Sequence, residues 1–501
     1  MKLEEAPAPG FGEQAKLAYT EVINMNVRHV LNGLLKEIEP IDFREHLDAD
    51  QKLQQKHFLV STVDNLLGLA KSRGWGLARH YDFIYIYNGQ YWIRVDKDTF
   101  MSFLGEAAHK MGVSYMDSKF YTFRENLLKQ FYVSAHLEEP VVEKDRVLIN
   151  LKNGTFEFSK TFCGLREFRM EDFLKYQLPF EFKEDAEAPK FQKYLNEVLP
   201  AEELQNILAE FMGYVFIRDL KLEKCLLLQG TGANGKSVFF EIMNALLGRD
   251  NVANYSLANL AEEHNRAQIA DKLLNYGSEI SSKMSPDMFK QIVSNEPIQC
   301  RLKYGQSFIM ENYAKLCFNC NELPREVEIN EAYFRRFLIV PFRVTIPEGQ
   351  RDPNLAKSII ADELPGVFNW VLGGLSRLMA NKGFSPSPIV DEALDAFKLE
   401  TDSVYTFINE GRIKNNGQFY YLRAIYASYR HHTQESGGMP VKNVQFSKRL
   451  RKYGFKDERK NAGMGFYMEF GEPRLDPNAA VFREPILEVV HEQKDSLELP
   501  F

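Results

Sequence analysis

The 501-residue sequence predicts an α/β protein built around a phosphate-binding loop and a largely parallel sheet. Three observations predict it. The apolar run Cys225-Leu226-Leu227-Leu228 leads directly into Gly230-Thr231-Gly232-Ala233-Asn234-Gly235-Lys236-Ser237, and a helical pattern (Val238, Ile242, Met243, Leu246, Leu247) follows. From about 220 to 345, β-rich apolar runs alternate with helical spacing. On either side the pattern changes to short strands flanking turn signals, mixed with helices.

Composition bounds the reading. Hydrophobic residues make up 45% and charged residues 26%, as in an ordinary globular protein, and the length suits about three domains. The formal charge of −7 excludes a wholly basic nucleic-acid coat, so any nucleic-acid site must be a local patch. Five scattered cysteines cannot form a disulfide framework and imply a reducing compartment. Cys317 and Cys320 form a CxxC without a second pair at zinc spacing, which favours a buried strand over a metal site. The acidic, Pro-rich start is unlike a signal peptide, and no stretch approaches the roughly 20 apolar residues of a membrane span. The expected location is cytoplasmic, in a bacterial or virus-infected cell.

Residues 1–58 read as a helical arm, with Val27, Val30, Leu31, Leu34 and Leu35 at helical spacing. Residues 59–190 read as an α+β region. Tyr81–Tyr87 and Tyr91–Val95 flank Asn88-Gly89 as a hairpin, a helical stretch follows from Phe100 to His136, and short strands surround Asn153-Gly154. Pro179–Pro189 is a charged linker, and 191–218 a helical lead-in to the core at 219–382. Residues 392–472 form a last module of helices and a hairpin, and 473–501 an acidic, flexible tail.

The core motifs carry chemistry. Glycines at 230–235 let backbone N–H groups surround a phosphate at a helix N-terminus. Lys236 supplies charge to the β- and γ-phosphates of ATP, and Ser237 a hydroxyl for Mg²⁺. Glu279 closes the run Lys272–Ser278, where it either polarises water, supports Mg²⁺, or simply faces solvent. Asn321 closes Ala314–Cys320 and either bonds the γ-phosphate or water or is a turn residue before Pro324. Arg335 and Arg336 stand immediately before the strand Phe337–Phe342, where either is a candidate finger reaching a neighbouring subunit's nucleotide.

In this order these pieces resemble a superfamily 3 helicase of the phage/plasmid primase–helicase type, related to the poxvirus primase–helicase. The resemblance rests on Gly-Ala-Asn-Gly-Lys-Ser (232–237), Ser-Glu-Ile (278–280), Phe-Asn-Cys-Asn (318–321) before Glu-Leu-Pro, and Phe-Arg-Arg-Phe before Ile-Val-Pro-Phe. It extends to Tyr87–Trp92, Asn150–Gly154 and Glu210–Tyr214, and covers about 60–470. It implies an AAA+-like ATPase, hydrolysing ATP between the subunits of a ring expected to be a hexamer, while channel loops pull one strand of single-stranded or forked DNA. It also implies that Lys290, Arg301, Lys303 and Tyr304 lie where the family carries its channel hairpin; Arg301 and Lys303 are the stronger candidates. The sequence departs from the family in two places: Ser278 replaces the first of two acids, and Asn295-Glu296 replaces Gly-Asp before the hairpin.

Between 441 and 460 eight Lys/Arg face two acids, a local excess of six positive charges. Helix, helix and hairpin there resemble a winged helix, with Lys448, Arg449, Arg451 and Lys452 as candidates for phosphate contacts; the alternative is a solvated charged helix. The last residues carry Leu497, Leu499 and Phe501 in a pattern similar to sliding-clamp peptides, although a plain tail fits equally. Primer synthesis in the same chain finds only Asp48-Ala49-Asp50 as a compact acidic candidate, so a primase is expected as a separate partner. A DNA-binding ATPase switch without unwinding is the alternative function.

Overall fold

The computed structural model describes residues 27–45, 47, 51–137, 143, 145–218, 220–277, 286–302, 307–321, 331–436 and 439–471. Its first layer is a meander of β1 (Gly76–His80), β2 (Phe83–Tyr87) and β3 (Trp92–Val95), with Tyr87 opposite Trp92 across the expected turn. That turn forms because Asn88 Oδ1 accepts from the Gln90 and Tyr91 amides, both at 2.9 Å, while Gly89 takes φ 96°. Strand alternation sends Ile84, Ile86, Ile93 and Val95 to one face. There they meet the helices 27–37, Gln55–Ser72, Lys97–Lys110 and Tyr121–Ser134. The helix over 27–37 is therefore part of this core through Val30, Leu31 and Leu34, and not a detached arm. Phe83, Tyr85, Tyr87 and Trp92 point to the opposite face and bury against Phe173.

A second meander follows, β4 (Val147–Leu151), β5 (Gly154–Phe158) and β6 (Cys163–Arg166). Its apolar face, Val147, Ile149, Leu151 and Phe156, packs with helices Pro189–Val198, Glu202–Tyr214 and Leu364–Asn381 in the largest core. The segment 179–189 is a bound strap rather than a loose linker. Asn369 Nδ2 donates to the carbonyls of Lys183, Glu184 and Ala186 at 2.9–3.0 Å, and Phe180 is buried.

The central sheet contains β7 (Cys225–Gln229), β8 (Val252–Ala253), β9 (Leu274–Gly277), β12 (Lys315–Cys320) and β13 (Phe337–Pro341), all parallel, in the order β13-β7-β12-β9-β8. Between β9 and β12 lies an antiparallel hairpin of β10 (Ile298–Arg301) and β11 (Ser307–Met310). The strands read as continuous apolar runs because both faces are covered. Leu226, Leu228, Leu338 and Val340 face the helical core, whereas Leu227, Phe318, Phe337 and Ile339 face a second cluster. Helix Pro388–Thr401 belongs to that second cluster by packing, since Phe397 meets Phe334 and Phe337 at 5.3 and 5.6 Å.

The last module comprises helices Ser403–Glu410, Leu422–Glu435 and Asn443–Lys452 against a sheet of β14 (Lys414–Tyr421), β16 (Gly463–Glu469) and β15 (Asp457–Lys460), ordered β14-β16-β15. Its core is Val404, Phe407, Tyr429, Phe446, Phe466 and Met468. Among the described residues no helix is long and apolar enough to cross a membrane.

Candidate functional site

The glycine-rich loop leaves the carboxyl end of β7 and enters helix Lys236–Leu247. Its curvature needs residues that tolerate positive φ: Gly232 has φ 110°, Ala233 49° and Gly235 86°. Gly235 is also pressed against a neighbour, because a Cβ there would lie 2.7 Å from Val198 Cγ1. Tyr194 Oη donates to Gly235 O at 2.8 Å, and the Ile346 amide donates to Ala233 O at 2.8 Å, so the loop is held from both sides. No side chain caps the helix, which leaves the first amide groups directed at the cleft. Lys236 Nζ donates to Gly230 O at 2.6 Å and Asn234 Oδ1 at 3.0 Å, and burial pulls its ammonium below the usual lysine range. Ser237 is exposed to the cleft.

The cleft has a volume of about 820 Å³. Because β12 lies beside β7, Asn319 and Asn321 come to the same cleft as Lys236 and Ser237. Asn319 Oδ1 is buried and has no hydrogen-bond partner among the described residues, an acceptor directed at this region. The sequence reading assigned no role to Asn319, nor to the far wall of the cleft. Helix Pro189–Val198 contributes Lys190, Lys193 and Tyr194, and the segment after β13 contributes Arg351 and Asp352. That helix is anchored by Glu363, whose carboxylate accepts from the Lys190 and Phe191 amides at 3.0 Å each. Proximity of residues some 40 positions upstream is set by helix packing alone, so no local motif carries it. Glu279, two positions past the end of β9, lies outside the described residues.

The two arginines occupy different environments, and of the two candidate fingers only Arg335 faces outward. Arg336 is 6% exposed. It donates to Ala332 O, to Ser294 Oγ at 3.0 Å, and pairs with Glu223 Oε2 at 2.9 Å. Arg335 is exposed, and among the described residues it pairs with the same Glu223 oxygen at 2.8 Å. Both precede β13, which runs parallel to β7, so they sit at the end of the sheet opposite to the glycine loop. Five residues at about 3.3 Å each put roughly 15 Å between that edge and the loop of the same chain.

The expected channel segment does contain a hairpin, β10–β11, with Arg301 exposed at its tip. Lys303 and Tyr304 lie outside the described residues. Lys290, on helix Pro286–Val293, bonds its own helix at Asp287 Oδ1, 3.2 Å away. In the last module Lys448 and Lys452 are exposed, but two of the four candidate cations are engaged within the fold. Arg449 pairs at 3.0 Å with the fully buried Asp402, which also accepts from Tyr453 Oη. Arg451 pairs with Asp457 at 2.9 Å. Arg449 therefore holds the module together rather than facing a ligand. Leu497, Leu499 and Phe501 lie outside the described residues. Cys317 and Cys320 are buried in β12, and among the described residues no cluster of three or more metal-ligating side chains occurs.

Comparison with known proteins places these features among distant relatives. Residues 73–200 match the family described as D5 N terminal like, and residues 228–336 match a family of unknown function, DUF5906. A curated protein of Invertebrate iridescent virus 3, named "Putative helicase 121R", is 22% identical over 337 residues, 59% of this chain. The chain matches only 36% of that relative's length. Two solved apo structures of the NrS-1 C-terminal region are 12% identical, with TM-scores of 0.46 and 0.48. They cover 81% and 82% of this chain, and 98% and 99% of their own. At TM-scores below 0.5 the structural likeness carries no argument about fold or activity. In sequence, the chain is similar at long range to this viral protein named as a helicase.

Proposed function

We propose that this chain is the subunit of an ATP-driven DNA helicase of superfamily 3, serving replication of a virus, phage, plasmid or integrated element. The observation that carries the reading is the convergence of Lys236, Ser237, Asn319 and Asn321, from two adjacent parallel strands, on one large cleft at the carboxyl end of the sheet. Carboxyl strand ends are where open parallel sheets bind ligands, and a helix N-terminus there suits a polyphosphate. In this reading Lys236 and the loop amides hold the β- and γ-phosphates of ATP. Asn321 and Asn319 orient the attacking water or the γ-phosphate. Mg²⁺ keeps most of its water and phosphate ligands, so the Ser237 hydroxyl suffices as a described protein ligand, with Glu279 as a further candidate.

Arg335, rather than Arg336, is the proposed finger toward a neighbouring subunit's nucleotide, because it is exposed and far from its own loop. The hairpin β10–β11 with Arg301, Lys303 and Tyr304 is proposed to grip one strand within a ring, with the exposed lysines of a winged-helix-like last module adding phosphate contacts. The test is ATP hydrolysis with and without single-stranded DNA, run beside displacement of a forked duplex, with Lys236→Ala as the control. DNA-stimulated hydrolysis and displacement, both lost in Lys236→Ala, are expected. Hydrolysis without displacement identifies a switch ATPase, and unchanged turnover in Lys236→Ala removes the site assignment.

A further inference from the structure

At the opposite end of the sheet from the nucleotide cleft, a small cavity of about 40 Å³ lies between the amino-terminal layers and the core. Among the described residues its charged lining is Lys175, Arg218, Lys272, Lys315 and one carboxylate, Asp271. Asp271 is already committed: it accepts from Lys175 at 2.9 Å and from Tyr85 Oη at 2.5 Å. Among the described residues Lys272 donates to the Asp250 backbone carbonyl, and the Asp250 and Asp271 carboxylates act on it without a bond to it. Lys315, at the start of β12, is 9% exposed, and its ammonium lies 4.4 Å from the centre of the Tyr214 ring. Among the described residues it forms no ion pair with a carboxylate, and the Lys221 charge disfavours its ammonium further. Burying an ammonium without an anionic partner costs several kcal/mol. The cavity is several times the roughly 10–15 Å³ that one water needs, enough for one tetrahedral oxyanion.

We propose that this cavity binds a phosphate-class oxyanion, held by Lys315, Lys272 and Arg218. The ion is either free phosphate or a phosphodiester of bound nucleic acid; both present the same oxygens to the same three cations. The site does not depend on the nucleotide reading, since it uses none of the cleft residues. It adjoins a cleft of about 180 Å³ that shares Lys175, Asp271 and Lys272 and adds Arg94 and Tyr91, which gives an anion a route to it.

The test is thermal unfolding of the full chain carrying Lys236→Ala, which removes the glycine loop as a competing phosphate site, in phosphate against chloride at matched ionic strength. A saturable rise in Tm specific to phosphate is expected, as for any ligand that binds only the folded state. Lys315→Met in the same background should abolish the rise. Should that variant not fold, Arg218→Gln, at the half-exposed rim, should weaken the apparent phosphate affinity by about tenfold, the effect of losing one charge-assisted contact. Competition by an oligonucleotide without terminal phosphates assigns the site to backbone phosphodiesters, and lack of competition assigns it to free phosphate. No phosphate-specific rise, or a rise that persists unchanged in Lys315→Met or Arg218→Gln, overturns the proposal.

Discussion

Both ends of the parallel sheet carry polar and charged residues, yet they are built differently. At the carboxyl end, Ser237 is exposed, Asn319 lacks a partner among the described residues, and the loop amides point into an open cleft. At the amino end, Arg336, Lys175 and Asp271 are each bonded within the fold. The difference teaches that charge in the sequence does not locate a site; the location of the partner does. A cation buried among its internal partners, as Arg336 is, stabilises the fold, whereas one that stays exposed, as Arg335 does beside the same Glu223, is within reach of a ligand.

The largest test of this contrast is the arginine pair. Arg335→Ala is expected to lower turnover by about 10³-fold, the low end for an arginine finger, with stability within about 0.5 kcal/mol of the parent. Arg336→Ala is expected to destabilise the chain by about 1–3 kcal/mol, because Ser294 and Ala332 O lose their donor. Turnover and urea denaturation on both variants decide it, and the reverse pattern would mean that burial misidentifies the free arginine.

The same contrast recurs in the last module. Arg449→Ala leaves the fully buried Asp402 with Tyr453 and the Val404 amide as its remaining partners, and is expected to cost about 3–5 kcal/mol in the module's unfolding. Loss of DNA affinity with unchanged stability would instead restore Arg449 to the ligand face.

A pH measurement probes the amino end. Burial first, and then the Lys175 ammonium 3.4 Å from Nδ1, hold the His80 ring below its ordinary value of 6.5, at about 4. Asp271 acts in the opposite direction, and His136 and Arg218 add to the lowering. The unfolded chain takes up the proton that the folded chain refuses, so stability is complete above pH 6.5 and falls as pH drops toward about 4. The interval corresponds to about 3 kcal/mol at 1.36 kcal/mol per pH unit. His80→Gln should flatten denaturation midpoints over that window, and an unchanged slope would place the titration elsewhere.

The smallest expected effects belong to the exposed lysines. Lys448→Ala and Lys452→Ala should each weaken DNA binding a few-fold and reduce the salt slope by about one, with no change in unfolding. Fluorescence anisotropy across a salt series separates this from Arg451→Ala, whose charge is paired to Asp457 at 2.9 Å and exposed, and which should shift the slope less.

Local chemistry made much of the core legible. Asn88-Gly89 forms its turn through Asn88's own side chain, the run 225–228 is apolar because both sheet faces are covered, and the loop 230–237 has glycines at two of its three positive-φ positions. What was not legible depended on contacts distant in sequence. Lys190 and Lys193 reach the cleft through the packing of their helix, whose start is bonded by Glu363 from some 170 residues away. The helix at 27–37 looked like an arm because its stripe shows that it packs, not against what.

By itself, then, the sequence determined the strand–loop–helix at 225–247 and two helices of the last module, since each follows from spacing over fewer than about 20 residues, while the hairpin between β9 and β12 was expected only through the family resemblance. Only the tertiary structure decided which strand lies beside β7, which of Arg335 and Arg336 faces outward, and which cations of the 441–460 patch are held internally. Those outcomes rest on burial and on partners brought together by packing, and a cation reads the same in sequence whether its carboxylate waits inside the fold or its ligand waits outside.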